Sequence, residues 1–191
     1  MSPTGPADSA DRAPTTALIT WANALTLLRA ALAPVVVLLL LDQGSSARWW
    51  AFGLFLFAAS TDSVDGWVAR RSKISRWGQL ADPAADKALI VTSLAALAAL
   101  GELPWWAVIV IVAREIAVSA QRWVLSRRGR VLPASLLGKA KTVTQIVAVT
   151  LYLLPGLPSR LRASGLAIAV LLTLVSGMEY VLRGERLSRA G

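Results

Sequence analysis

The chain has 191 residues, 55% of them hydrophobic, with a mean hydropathy of +0.58 and a formal net charge of +9. It contains no cysteine and no histidine, which excludes disulfides, thiolate metal sites and imidazole catalysis and leaves carboxylates, Lys, Arg and hydroxyls as its chemistry. So apolar a chain, with apolar blocks of roughly 17 to 25 residues and no strand alternation, reads as an all-α integral membrane protein rather than a soluble domain or a barrel.

Residues 1–20, rich in Pro, Ser, Thr, Asp and Ala, read as a disordered N-terminal tail without the basic start of a signal peptide. Six spans are then predicted, at about 22–41, 47–70, 79–100, 104–126, 138–154 and 162–182, followed by a short C-terminal tail at 186–191. The stretches DQGSS, GELP and PGLPS between them are short and rich in helix breakers, which predicts antiparallel neighbours.

Lys and Arg are concentrated on one side: Arg70, Arg71, Lys73 and Arg76 after span two, then Arg122, Arg127, Arg128, Arg130, Lys139 and Lys141 between spans four and five. The other side has Arg48, Arg160 and Arg162. Positive charge is retained on the cytoplasmic side, so both termini are predicted there. The basic residues are read as topology signals and phosphate contacts, and no nucleic acid partner is expected. Trp49, Trp50, Trp105 and Trp106 fall at the outer ends of spans two and four, as an interfacial aromatic belt would place them.

Against this background, STDSVDGWVARRSKISRWGQLADPAADKALIV (60–91) is anomalous. Asp62 with Asp65, and Asp82 with Asp86, stand three and four residues apart, so each pair shares a helix face near the cytoplasmic side. Ionised carboxylates are expensive within a bilayer. Four together suit a hard divalent cation such as Mg²⁺, and the neighbouring cations suit a phosphorylated substrate. The plainer readings are that Asp82 before Pro83 caps a helix, and that Asp62 and Asp65 pair with Arg70 and Arg71. Asn23, Thr26 and Arg29 share one face of span one, and read equally as a helix start with a snorkelling Arg or as a pocket wall. Arg114 lies inside an apolar run and calls for a charged partner or substrate. Its neighbour Glu115 is expected to point elsewhere on the helix.

Asp62, Asp65, Gly66, Ala69 and Arg70, followed by Gly78, Asp82 and Asp86, resemble the DxxDGxxAR…GxxxDxxxD signature of the CDP-alcohol phosphotransferase family. Seven residues separate Arg70 from Gly78, one fewer than is usual in that family, which leaves the register of Ser75 open. NALTLLR (23–29), AREIAVSAQRW (113–123) and LPASLLGKAKTVTQ (132–145) look like its bacterial phosphatidylglycerophosphate-forming branch.

The resemblance implies a six-transmembrane-helix bundle over residues 21–185, homodimeric and in the bacterial plasma membrane. It implies one or two Mg²⁺ or Mn²⁺ ions on Asp62, Asp65, Asp82 and Asp86, with Asp86 also the general base. Gly66, Arg70 and Ser75 would contact CDP-diacylglycerol, with Asn23, Thr26 and Arg29 as further candidates. Arg114, Lys139, Lys141 and Arg122 are the candidates for the phosphate of the acceptor, sn-glycerol 3-phosphate, although Lys139 and Lys141 also read as ordinary loop charge. The alternatives kept open are another acceptor, either phosphatidylglycerol, as in a cardiolipin synthase, or inositol phosphate, and outside the class a small cation transporter or a noncatalytic scaffold.

Overall fold

The computed structural model describes residues 16–42, 44–68, 78–127 and 135–189, with side chains at 28–42, 44–61, 87–127 and 135–185. They form six α-helices, and no strand occurs among them: α1 (Thr16–Leu41), α2 (Ser45–Val68), α3 (Gly78–Ala99), α4 (Trp105–Arg127), α5 (Leu136–Leu153) and α6 (Ser159–Arg189).

All six correspond to the predicted spans, but the start of α1 and the end of α6 differ. α1 starts at Thr16, inside the stretch expected as tail, because no Gly or Pro separates Thr16 from Asn23 and each added residue gains a backbone bond. Asn23 is therefore interior to a helix rather than at its start. α3 starts at Gly78, so Asp82 is not its N-cap, and Pro83 lies inside the helix. α6 continues to Arg189, beyond both the predicted span and the start of the expected C-terminal tail.

Three short turns stand at one end of the bundle, the turn end. The connections 69–77 and 128–134 leave from the other, the loop end. After α3 the chain closes with Gly101 at φ 75°, its N–H donating to Ala98 O while Glu102 N donates to Leu97 O, each at 3.0 Å. This paired closure needs a left-handed residue that Gly supplies without steric cost. α5 begins at Ser135, whose Oγ accepts from Gly138 N at 2.9 Å.

The short turns bring α1 against α2, α3 against α4 and α5 against α6, as the breaker-rich stretches predict. Across these hairpins, α1 packs closely on α3, and α4 rests on α6. Among the described side chains the apolar core lies toward the turn end: Ala33, Val36 and Leu40 from α1, Phe55 from α2, Leu94 and Leu97 from α3, Ile111 from α4, and Val149 and Leu153 from α5 are all buried.

At the turn end, Arg48 of α2 forms an ion pair with Glu102 and donates to the terminal carbonyls of α5, Tyr152 O at 2.5 Å and Leu153 O at 3.3 Å. Arg162 of α6 approaches the same Glu102 at 3.7 Å. Charge predicted to serve topology thus also binds the helix ends together, with a cation at the negative end of α5.

By length and composition, one helix among the described residues is apolar enough to cross a membrane: Ser159–Glu185 within α6, with a mean hydropathy of 1.9. Leu28–Leu41 and Lys87–Ala99 are shorter apolar stretches. α4 is interrupted by Arg114 and Glu115, and α5 by Lys139 and Lys141. Those interruptions lead to the site.

Candidate active site

Midway along α4, Arg114 and Glu115 are both turned inward, with side chains 9% and 8% exposed. Glu115 was expected to point elsewhere on the helix and not to partner Arg114. Instead it is the centre of a buried ionic cluster. Its Oε1 accepts from Lys141 Nζ of α5 and from Arg114 Nη1 at 3.0 Å, and its Oε2 lies 3.2 Å from Lys87 Nζ of α3. Adjacent helical residues do not face each other, but the Arg114 side chain is long enough to fold back onto Glu115, and Lys141 and Lys87 arrive from other helices.

The cations are held from outside as well. Arg114 Nη2 donates to Ser176 Oγ at 3.1 Å, and its guanidinium stands 5.4 Å above the centre of the Tyr180 ring. Gly177 makes room for it, since a Cβ there would meet Arg114 Cγ at 3.1 Å. The buried Tyr180 hydroxyl accepts from Ser135 N at 3.1 Å, tying the cap of α5, and so the start of the helix that carries Lys141, to α6. Lys87 donates to Ser119 Oγ at 2.7 Å. Deeper along α5, buried Gln145 donates to Thr173 Oγ1 at 2.9 Å.

The charges do not cancel. Among the described side chains, Lys87, Arg114 and Lys141 set against Glu115 leave +2. The side chains of Arg114 and Lys141 are both largely buried against a single buried carboxylate, while Lys87 is partly exposed; excess charge in such a setting is costly unless an opposite charge joins it, so the cluster is suited to receive an anion. Beside it, a groove of about 610 Å³ opens between α3 and α4; Lys87, Ser119 and Glu115 form its polar wall, and Val91, Ile116 and Trp123 belong to its apolar lining.

Of the expected acceptor-phosphate residues, Arg114 and Lys141 meet in the cluster, whereas Lys139 and Arg122 are exposed. Burial of Lys141 (5% exposed) removes the reading of it as ordinary loop charge. Arg29 is 3% exposed and continues the inward face of Ala33, Val36 and Leu40, so it does not snorkel. The backbone carries Asn23 and Thr26 in α1, Asp62, Asp65 and Gly66 toward the loop end of α2, and Asp82 and Asp86 toward the loop end of α3. The side chains of these seven, and all of Arg70 and Ser75, lie outside the described residues. Lys87 follows Asp86 directly, so one helix carries both the aspartates and a corner of the cationic cluster.

Sequence reasoning missed Glu115, Lys87, Ser176 and Tyr180. For the first two a signal existed, an ionisable residue inside an apolar run. Ser176 and Tyr180 carry no such mark.

A family model described as CDP-alcohol phosphatidyltransferase matches residues 19–175. The chain is 43% identical over 172 residues to a "Probable phosphatidylglycerophosphate synthase" of Mycobacterium tuberculosis, covering 86% of this chain and 81% of that protein. It is 39% identical over 176 residues to the CDP-diacylglycerol–glycerol-3-phosphate 3-phosphatidyltransferase of Bacillus subtilis, covering 83% and 91%. A CMP-forming cardiolipin synthase of Oryza sativa is 35% identical over 161 residues, 76% of this chain and 49% of that one.

Proposed function

Because the chain belongs to the CDP-alcohol phosphatidyltransferase family, we propose that it transfers the phosphatidyl group of CDP-diacylglycerol to sn-glycerol 3-phosphate, giving phosphatidylglycerophosphate and CMP. The observation that favours a phosphomonoester acceptor over phosphatidylglycerol is the cluster of Lys87, Arg114, Glu115 and Lys141, with an excess of +2 among the described side chains. A phosphomonoester carries about −1.5 to −2 at neutral pH. Phosphatidylglycerol, the acceptor of a cardiolipin synthase, offers a phosphodiester with a single charge and needs less cationic help. Among phosphomonoesters, the names of the Mycobacterium and Bacillus relatives support glycerol 3-phosphate over inositol phosphate.

The six helices form a multi-pass bundle in the bacterial plasma membrane, with the loop end, both termini and the site on the cytoplasmic side. The basic residues near the loop end support this orientation. So do Trp49, Trp50, Trp105 and Trp106, all more than half exposed at the turn end. The acyl chains of the donor then stay in lipid while nucleotide and acceptor enter from water. By family resemblance the working unit is a homodimer.

Asp62, Asp65, Asp82 and Asp86 would hold one or two Mg²⁺ or Mn²⁺ ions, a donor set made only of carboxylate oxygens and thus matched to hard cations. The bound metal would supply neutralisation of the diphosphate charge. Arg114 and Lys141 bind the acceptor phosphate and so orient its free primary hydroxyl. Asp86 takes the proton of that hydroxyl as the oxygen attacks the β-phosphorus of CDP-diacylglycerol. The new P–O bond forms as the bond to CMP breaks, and CMP departs. Gly66, Arg70 and Ser75 hold the cytidine diphosphate portion, and the inward face of α1 that bears Arg29 borders it together with Asn23 and Thr26.

The test is CMP release from CDP-diacylglycerol by the purified protein with Mg²⁺, offering glycerol 3-phosphate, inositol phosphate or phosphatidylglycerol separately, with Asp86→Asn as control. Release that depends on glycerol 3-phosphate and is lost in the variant supports the proposal. Release with another acceptor alone moves the substrate, and no release with any acceptor sinks the transferase reading for this chain.

A further inference from the structure

We infer that Glu115 is an exchangeable counter-ion, which the acceptor phosphate displaces from Arg114 and Lys141 and which returns to them to expel the product. The inference rests on the reading that those two cations receive the acceptor phosphate.

The chemistry creates the need. Phosphatidyl transfer leaves the acceptor's own phosphate untouched, so the product presents to Arg114 and Lys141 the same dianion that the substrate did. A pocket built of cations alone would hold both equally, and binding shared by substrate and product slows turnover at release. A resident carboxylate competing for the same donors weakens both and refills the site as the product leaves.

The geometry provides for the exchange. The two oxygens of Glu115 are divided between partners: Oε1 faces Lys141 and Arg114, and Oε2 faces Lys87. Lys87 is 38% exposed and lines the open groove with Ser119, so the carboxylate has a cation to rest on when a phosphate takes the other two. Arg114 keeps Ser176 and Tyr180 throughout and has no need to move.

Two substitutions drive the balance in opposite directions. Glu115→Gln keeps the shape and removes the competitor, raising the local charge from +2 to +3. It is expected to tighten inhibition by inorganic phosphate at least about tenfold, charge–charge interactions at this burial being strong. It should also lower KM for glycerol 3-phosphate and lower kcat, with a first-turnover burst of CMP followed by slow release. Lys87→Met removes the resting place, so Glu115 holds Arg114 and Lys141 harder; KM and the inhibition constant for phosphate both rise.

Inorganic phosphate binding is read independently, as thermal protection of the full-length protein in detergent. Greater protection of Glu115→Gln and lesser protection of Lys87→Met than of wild type supports the exchange even if glycerol 3-phosphate proves not to be the acceptor. Weaker phosphate binding in Glu115→Gln, or phosphate binding in Lys87→Met equal to that of wild type, overturns it and leaves Glu115 a fixed support for its cations. If the Gln variant does not fold, the Lys87→Met result decides alone.

Discussion

Replacing Lys141 by Met tests the acceptor site most directly. Met retains most of the stem and removes the ammonium from a position 6% exposed. Glu115 is not orphaned, because Arg114 at 3.0 Å and Lys87 at 3.2 Å remain, so the fold should survive. The variant loses one charge-assisted hydrogen bond to the acceptor phosphate, worth about 1.5–3 kcal/mol, which corresponds to a rise in KM of roughly ten- to a hundredfold. The aspartates proposed to hold metal, Asp86 among them, sit on α2 and α3 rather than α5, so kcat at saturating acceptor and KM for CDP-diacylglycerol should change little. Steady-state CMP release, with each substrate varied in turn, gives both numbers. Lys141→Arg, which keeps the charge but not the shape, should recover part of the loss. A collapse of kcat with KM unchanged would refute this reasoning and place Lys141 in the chemical step.

Arg48→Ala removes the ion pair to Glu102 and two bonds to the end of α5; about 2–3 kcal/mol should be lost, read as a fall in Tm on the order of 5–10 °C with specific activity kept at low temperature. Gly177→Ala drives a methyl to 3.1 Å from Arg114 Cγ; a several-fold rise in KM for the acceptor with kcat nearly constant is expected, and unchanged kinetics would show that the guanidinium can shift freely. Asp86→Asn should lower CMP release by about 10² to 10⁴, the usual worth of a general base, while CDP-diacylglycerol binding persists in an equilibrium assay. Chelation by EDTA should abolish activity and Mg²⁺ should restore it, and activity that survives exhaustive chelation would refute the role given to the four aspartates.

The helices were legible because long apolar runs without strand alternation carry a strong signal, and the turns because Gly and Pro stand where the chain reverses. Their ends were less so. Asp-Pro at 82–83 imitates a helix start, yet α3 already begins at Gly78. The aspartates stood out because carboxylates in an apolar context are rare, and their spacing is local. The cationic cluster was half legible: Arg114 and Lys141 could be named from their type and setting, but Glu115 gathers partners 28 and 26 positions away along the chain, Lys87 and Lys141. Which helix faces meet is a tertiary fact. The same holds for Tyr180, which as a sequence letter is one more aromatic in an apolar run, and in the fold joins the cap of α5 to the ring face beneath Arg114.

The Arg48–Glu102 contact has a consequence for how the chain comes together. The six helices pair along the chain as three hairpins, α1–α2, α3–α4 and α5–α6, and the contact draws one member from each: Arg48 from the first, Glu102 from the turn of the second, and the Tyr152 and Leu153 carbonyls with Arg162 from the third. No two hairpins can complete it. It therefore closes only when the last hairpin has docked in register, and a misplaced hairpin would leave Glu102 without one of its arginines. The clasp is thus a contact that only the fully docked bundle can make, set at the turn end and away from the cationic cluster.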